Sequence, residues 1–158
     1  MMTSQATSDP HAVARAIALR QLDRAPKTRQ QLEMALAKRH VPATVACEVL
    51  DQLTVAGLID DAAYASMFVH SRTTTKGMAR RALRAALVTR GCEPAAIASA
   101  LAQLNDTQEL EIAKRLVERR QSRLAGLDRH VRYRRLSGML ARRGHNASVI
   151  AQALADLD

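Results

Sequence analysis

One spacing of leucines occurs three times along the chain. A pair of leucines four residues apart is followed, fourteen residues after its second member, by a pair three residues apart; these are Leu32, Leu36, Leu50 and Leu53, then Leu83, Leu87, Leu101 and Leu104, then Leu136, Leu140, Leu154 and Leu157. The copies are offset by 51 and 53 residues. Spacings of three and four place side chains on one face of a helix. We therefore expect three similar helical units in tandem.

Helix-start and helix-end residues divide each copy into three helices. Gly57 suits the left-handed position after a helix, and the threonine run before Gly77 predicts a break. Predicted helix starts lie at Asp9, Thr28, Pro42, Asp60 or Asp61, Gly77, Glu93, Asp106, Asp128 and Asn146. The sequence therefore predicts an all-α fold of about nine helices.

A three-helix unit of this size is too small to bury its hydrophobic face alone, so neighbouring units should stack into an elongated, curved array. Aromatic residues make up only 2% of the chain, and the core must therefore consist of Leu, Ala, Val and Ile. The predicted divisions are a disordered tail at residues 1–8 and three repeats at residues 9–58, 59–105 and 106–158.

Positive charge is concentrated in the second half of the chain. The net charge is +9, and residues 80–158 hold fifteen Lys and Arg against eight Asp and Glu. Such an excess is typical of a protein with a polyanionic partner, because neutralised phosphates release their counterions. A basic surface that serves only solubility is the alternative interpretation.

Arginines recur on one face of two predicted helices. Arg115, Arg119 and Arg123 follow one another at four-residue intervals, and Arg132, Arg135 and Arg142 share a face with Gly138. A guanidinium group binds phosphate or carboxylate with two hydrogen bonds, so DNA and an acidic protein surface are both candidate partners. Because aromatic residues are scarce, contact with DNA should be directed at the backbone, salt-sensitive and poor in sequence preference.

The sequence contains no recognisable catalytic or metal-binding arrangement. The five histidines lack metal-ligand spacing and are expected at the surface or at helix ends, and helix capping accounts for the acidic pair Asp60-Asp61. Cys47 and Cys92 belong to no CxxC pair and are expected to be buried small hydrophobic residues. No signal peptide or membrane-spanning stretch is evident. We expect a cytoplasmic protein that is not an enzyme and has no cofactor and no metal.

The central stretch contains a run of signature residues: Gly57-Leu58-Ile59-Asp60-Asp61, Tyr64-Ala65, Phe68-Val69, Arg72, Gly77, Leu83, Leu87 and Arg90-Gly91. This run resembles the signature of the RecX family, which regulates the recombinase RecA. Arg142-Arg143-Gly144, Ile150 and Ala153-Leu154 resemble the end of the family pattern. Cys92 and His145 depart from it, since the family usually has an apolar residue after each glycine, and we expect looser turns there.

The resemblance implies a three-repeat helical modulator that lies in the groove of the RecA–DNA filament and hinders ATP hydrolysis and strand exchange. Its partners would be the RecA filament and single- or double-stranded DNA, the latter through the phosphate backbone; we expect a monomer with no membrane contact. The residues expected to bind DNA or RecA are Arg72, Lys76, Arg80, Arg81, Arg84, Arg115, Arg119, Arg123, Arg132, Arg135, Arg142 and Arg143.

Two other functions fit a basic helical repeat. One unit could act as a helix-turn-helix reader of duplex DNA in a transcription regulator, although the basic helices are poor in the Asn and Gln that read adenine. The array could also be an α-solenoid scaffold with no nucleic acid involved. Sequence-specific duplex binding would favour the first, and partner binding independent of salt would favour the second.

Overall fold

The computed structural model describes residues 8–157, and in this range the backbone forms nine α-helices and no β-strand. The all-α prediction is therefore confirmed. The predicted disordered tail lies, apart from Ser8, outside the described residues. The helices are α1 (Pro10–Arg24), α2 (Arg29–Lys38), α3 (Ala43–Val55), α4 (Asp61–Lys76), α5 (Arg80–Thr89), α6 (Pro94–Leu101), α7 (Asp106–Leu124), α8 (Arg129–Arg142) and α9 (Ala147–Ala153).

Three separate hydrophobic cores divide these helices into three units. The first unit is α1–α3, the second α4–α6 and the third α7–α9, and the helix pairs that pack extensively lie within one unit. The leucines of the repeated pattern lie in the cores, and all of them except the half-buried Leu104 are buried. Each buried leucine stabilises its unit by roughly 1.5–3 kcal/mol. The residue limits 9–58, 59–105 and 106–158 stay predictions.

Several predicted helix ends are confirmed by the hydrogen bonds of their caps. Gly57 has a φ of 77° after α3. Four predicted cap side chains accept a hydrogen bond from an amide in the first turn of the following helix: Asp9, Thr28, Asp60 and Asn146. These caps fix where each helix begins and so keep the three units in register.

Three helix limits differ from the prediction, the first being the start of α5, which lies at Arg80 rather than at Gly77. The cap of α7 is Asn105 rather than Asp106, because Asn105 and Gln108 form the reciprocal capping box. Helix α4 continues through the threonine run to Lys76. The hydroxyls of Thr73, Thr74 and Thr75 donate to carbonyl oxygens about one turn earlier and are thereby satisfied within the helix. The helix ends at Gly77 instead.

The first and second units meet where α2 begins. The hydroxyl of Thr28 donates to the carbonyl oxygen of Arg90 at the end of α5, at 2.6 Å. The amide of Arg29 donates to the carboxylate of Asp61 at the start of α4, at 3.1 Å. Asp61 therefore bonds across the junction between the units, whereas Asp60 caps its own helix.

The second and third units meet at the corresponding positions. The amide of Ala79 donates to the carbonyl oxygen of Arg143 at 2.9 Å, and the amide of Arg80 donates to Glu109 at 2.6 Å. His145, which is buried, donates from Nε2 to the carbonyl oxygen of Gly77 at 2.9 Å. His145 lies at a helix end, which is one of the two predicted positions, but the expectation of a looser turn there is wrong, because the ring joins the two units.

Glycine is required where a turn of one unit touches the preceding unit. Gly91 and Gly144 have φ values of 73° and 90°. A Cβ on Gly91 would lie 1.4 Å from Oε1 of Gln30, and one on Gly144 would lie 2.6 Å from Cβ of Ala82. His40 occupies the matching position in the first unit with a φ of 60°, and its side chain is exposed. A side chain is therefore tolerated at that turn.

The two cysteines differ in their surroundings. Cys92 is buried in the core of the second unit, as predicted, and its burial raises the pKa of the thiol to about 11. Cys47 is exposed, so the prediction that it is buried is wrong. The reason is its place on α3, whose buried face consists of Ala46, Val49, Leu50 and Leu53.

Candidate functional site

The arginine row predicted on α7 is divided between two surfaces. Arg115 and Arg119 line a cleft of about 330 Å³ where α7 meets the end of α4 in the second unit. Arg123 lies further along α7 on a surface shared with α8. A four-residue spacing drifts slowly around a helix, so a long row reaches different neighbours at its two ends.

A groove between α7 and α8 is lined by arginine and apolar side chains alone. Its volume is about 420 Å³, and its floor consists of Leu124, Leu136 and Met139. We call it the arginine groove, after the five arginines that line it: Arg120, Arg123, Arg134, Arg135 and Arg142. The sequence predicted three of these, Arg123, Arg135 and Arg142.

The charge of the arginine groove is not neutralised by the rest of the described chain. All five arginine side chains are exposed, and no ion pair among residues 8–157 includes any of them. No carboxylate lines the groove. Five guanidinium groups with free donors can therefore bind phosphate or carboxylate groups with paired hydrogen bonds.

Gly138 gives one of these arginines room. It lies on α8, and a Cβ added there would approach Nη1 of Arg142 to 3.2 Å. A side chain at this position would press on the guanidinium group and move it. The glycine thus helps Arg142 to reach over the groove.

Sequence reasoning missed Arg120 and Arg134. Each lies outside the set of arginines that the sequence places on one face of its own helix, and only the packing of α7 against α8 brings both to one groove. The register of the repeats gives a signal for Arg134. The offsets of 51 and 53 residues place it at the position of Gln30, which contacts the next unit.

Arg80 lies in the junction between the second and third units. Its guanidinium group binds Glu109 at 3.0 Å and also binds Asp106, and it is only half-exposed. Hydrogen bonds from Glu109 and, second, Asp106 raise the pKa of Arg80 above its ordinary value. These contacts hold Arg80 to its own chain.

Other predicted residues are also engaged within the chain. The guanidinium carbon of Arg72 lies 5.1 Å from the centre of the Phe68 ring, and that of Arg90 lies 4.5 Å from it, as in cation–π contacts. Arg143 donates to the carbonyl oxygen of Lys76 at 2.8 Å. Arg132 is half-buried, while the side chains of three further predicted residues are exposed: Lys76, Arg81 and Arg84.

The described residues show no arrangement suited to metal chemistry or to a membrane span. No three of their His, Cys, Asp or Glu side chains are grouped as metal ligands would be. None of the described helices has the length and apolar character needed to cross a bilayer. The arginine groove is the candidate functional site because its five exposed arginines meet no carboxylate of the described chain.

Three stacked three-helix units and an uncompensated arginine groove define a tandem helical-repeat protein with an anion-receptive surface. The models of the first, second and third three-helix domains of RecX match residues 14–53, 60–101 and 106–154. The chain belongs to the RecX family of regulatory proteins. The predicted resemblance and the repeat fold are thereby confirmed.

Relatives from other organisms match most of the chain. The regulatory protein RecX of Streptomyces coelicolor is 48% identical over 150 residues, which cover 92% of this chain and 80% of that protein. The protein of the same name from Thermobifida fusca is 46% identical over 146 residues, with 92% and 79% covered. The crystal structure of RecX from Lactobacillus salivarius shares the fold, with a TM-score of 0.82 at 20% identity over 96% of this chain and 98% of that one.

Proposed function

We propose that this protein is a non-enzymatic negative regulator of the RecA recombinase. It binds the RecA–DNA filament through its basic surface and inhibits ATP hydrolysis and strand exchange during recombination and repair. The observation that carries the proposal is the arginine groove, where five exposed arginines have no acidic partner in the described chain. Membership of the RecX family supplies the choice of RecA as the partner.

The serial arrangement of the units suits a filament. Three cores that follow one another along the chain give a surface longer than one compact unit of the same mass would present. A filament of protein and DNA offers negative charge along its whole length. Contacts at both the arginine groove and the cleft of Arg115 and Arg119 would then hold one protein to several sites at once.

The protein acts as a monomer in the cytoplasm in this proposal. Head-to-tail stacking of two copies would place the turn at His40 against another copy, where the internal junctions have Gly91 and Gly144. Both glycines allow an approach closer than any side chain permits. The side chain of His40 therefore prevents a second copy from docking on the third unit in the way that the units of one chain dock on each other.

Co-sedimentation with RecA filaments on single-stranded DNA tests the proposal. The protein should pellet with filaments more completely than with RecA alone or with DNA alone, and the bound fraction should fall as salt rises. Absence from the pellet at low salt would contradict it. Tight binding to one duplex sequence without RecA would instead favour the helix-turn-helix alternative.

A further inference from the structure

We propose that the arginine groove receives an acidic segment of a partner protein that also presents an apolar side chain, rather than the backbone of a nucleic acid. This inference rests on the proposed function and names the chemistry that the groove recognises within it. In the other two units, the matching face contacts a unit of the same chain.

In the first and second units, part of that face contacts the next unit of the same chain, while Gln30 and Arg81 remain exposed. Gln30 of α2 lies against Gly91, and Ala82 of α5 lies against Gly144. The repeat offsets of 51 and 53 residues place Arg134 at the position of Gln30 and Arg135 at the position of Ala82. Both arginines line the arginine groove. The groove therefore includes the part of the third unit that corresponds to a protein-docking face.

At both internal junctions, the docking unit brings a carboxylate to this face. Asp61 accepts from the amide of Arg29 at 3.1 Å, and Glu109 accepts from the amide of Arg80 at 2.6 Å. These amides are free because each begins its helix. Acidic helical protein is thus what this face binds in the two cases that the chain itself provides.

The third unit replaces those amides with guanidinium groups. The offset of 53 residues places Tyr133 at the position of Arg80, but α8 begins one turn earlier, at Arg129. The amide of Tyr133 is therefore inside the helix and is used by the helix itself. The arginines of the groove supply the donors instead, which keeps the preference for carboxylates while preventing a unit of the same kind from docking.

The floor of the groove favours a peptide over a nucleic acid. Leu124, Leu136 and Met139 offer apolar contact, and no aromatic ring lines the groove on which a base could stack. An acidic helix with a leucine or a similar residue between its carboxylates can bind both the arginines and the apolar floor of the groove. A sugar-phosphate backbone can bind the arginines alone.

Binding of three labelled probes to the full-length protein tests the inference. The probes are a glutamate-rich helical peptide with a pair of leucines on one face, the same peptide with serine in place of both leucines, and a thymidine oligonucleotide of equal charge. The leucine peptide should bind about tenfold or more tighter than either of the others, since the apolar floor adds to charge attraction. Equal affinity for all three probes, or tighter binding of the oligonucleotide, would overturn the inference.

Two matched variants locate the binding. Arg134→Glu with Arg135→Glu changes the groove, and Arg20→Glu with Arg39→Glu makes the same change of charge at exposed sites of the first unit. Only the groove variant should lose affinity for the leucine peptide, by about tenfold or more, while both keep equal affinity for the oligonucleotide. Parallel loss of peptide and oligonucleotide binding in the groove variant would overturn the inference.

Failure of the inference is distinguishable from failure of the proposed function by filament co-sedimentation of the same proteins. If the natural protein binds filaments but prefers the oligonucleotide probe, the inference is wrong and the proposed function stands. If it prefers the leucine peptide but binds no filament, the proposed function is wrong and the inference about the chemistry of the groove stands.

Discussion

Arg80 and Glu109 are joined twice across the boundary between the second and third units. The backbone amide of Arg80 donates to one carboxylate oxygen of Glu109 at 2.6 Å, and the guanidinium group binds the other at 3.0 Å. Glu109 is buried, so these hydrogen bonds replace the contacts with water that its carboxylate has lost. Arg80, which its charge suggests as a DNA-binding residue, thus holds the second and third units together.

Replacement of Glu109 by alanine should destabilise the protein by about 2–4 kcal/mol, because the Arg80 amide then loses its acceptor and the guanidinium group keeps only the exposed Asp106. Urea unfolding measures the change. Glu111→Ala, on an exposed position of the same helix, is the control and should change stability by less than about 0.5 kcal/mol. Equal effects of the two substitutions would contradict the role assigned to the pair.

Two glycine substitutions separate backbone strain from close contact between units. Gly57 and Gly144 both have positive φ, but a Cβ on Gly57 meets no atom within 4 Å. Gly57→Ala should destabilise by about 1–2 kcal/mol through strain alone. Gly144→Ala should exceed this by about 1–3 kcal/mol, because its Cβ presses on Ala82. If thermal unfolding shows the same loss of stability for both variants, the close contact of Gly144 with Ala82 is refuted.

The cysteines should react with a thiol reagent at very different rates. Cys47 is exposed, whereas Cys92 is buried with a pKa raised to about 11 by its burial. Because the thiolate is the reactive form, one thiol per folded chain should react quickly near neutral pH, and the second only after denaturation. Cys47→Ser should abolish the fast reaction. Rapid reaction of both thiols in the natural protein would show that the reagent reaches Cys92 in the core of the second unit and would contradict its burial.

The raised pKa of Cys92 also predicts a loss of stability in alkali. The folded chain holds this proton more tightly than the unfolded chain does, so the stabilisation is complete below the ordinary pKa of 9.0 and is lost as the pH rises towards about 11. Between those values the natural protein should lose about 2 kcal/mol more than Cys92→Ala. Parallel pH profiles of unfolding for the two proteins would contradict the effect.

The sequence was sufficient to predict the helices because their determinants are local. The leucine spacing and caps such as Thr28 and Asn146 act within a few residues of where they stand. At Asn105 and Asp106 two neighbouring residues can both cap, and the local capping box of Asn105 with Gln108 decides between them. The ion pair of Asp106 with Arg80 of another unit is a distant contact that no local pattern contains.

The arginine groove was only partly predictable for the same reason. The spacing of arginines along each single helix identifies Arg123 on α7 and Arg135 and Arg142 on α8. The groove lies between the two helices, and the way they pack against each other cannot be read from either helix alone. Arg120 and Arg134 join the site through that packing. Arg80 and Arg143 belong to the same basic half of the sequence, but both bind groups of a neighbouring unit of the chain instead of lining the groove. Charge counts therefore located the region and could not assign each arginine.

The most direct test is the rate of ATP hydrolysis by RecA on single-stranded DNA in the presence of three proteins. They are the natural protein, Arg123→Glu with Arg135→Glu in the arginine groove, and Arg20→Glu with Arg39→Glu as a control of equal charge. Inhibition by the natural and control proteins should be alike, while the groove variant, with unchanged helicity, should need about tenfold more protein for the same inhibition. Undiminished inhibition by the groove variant would contradict the account.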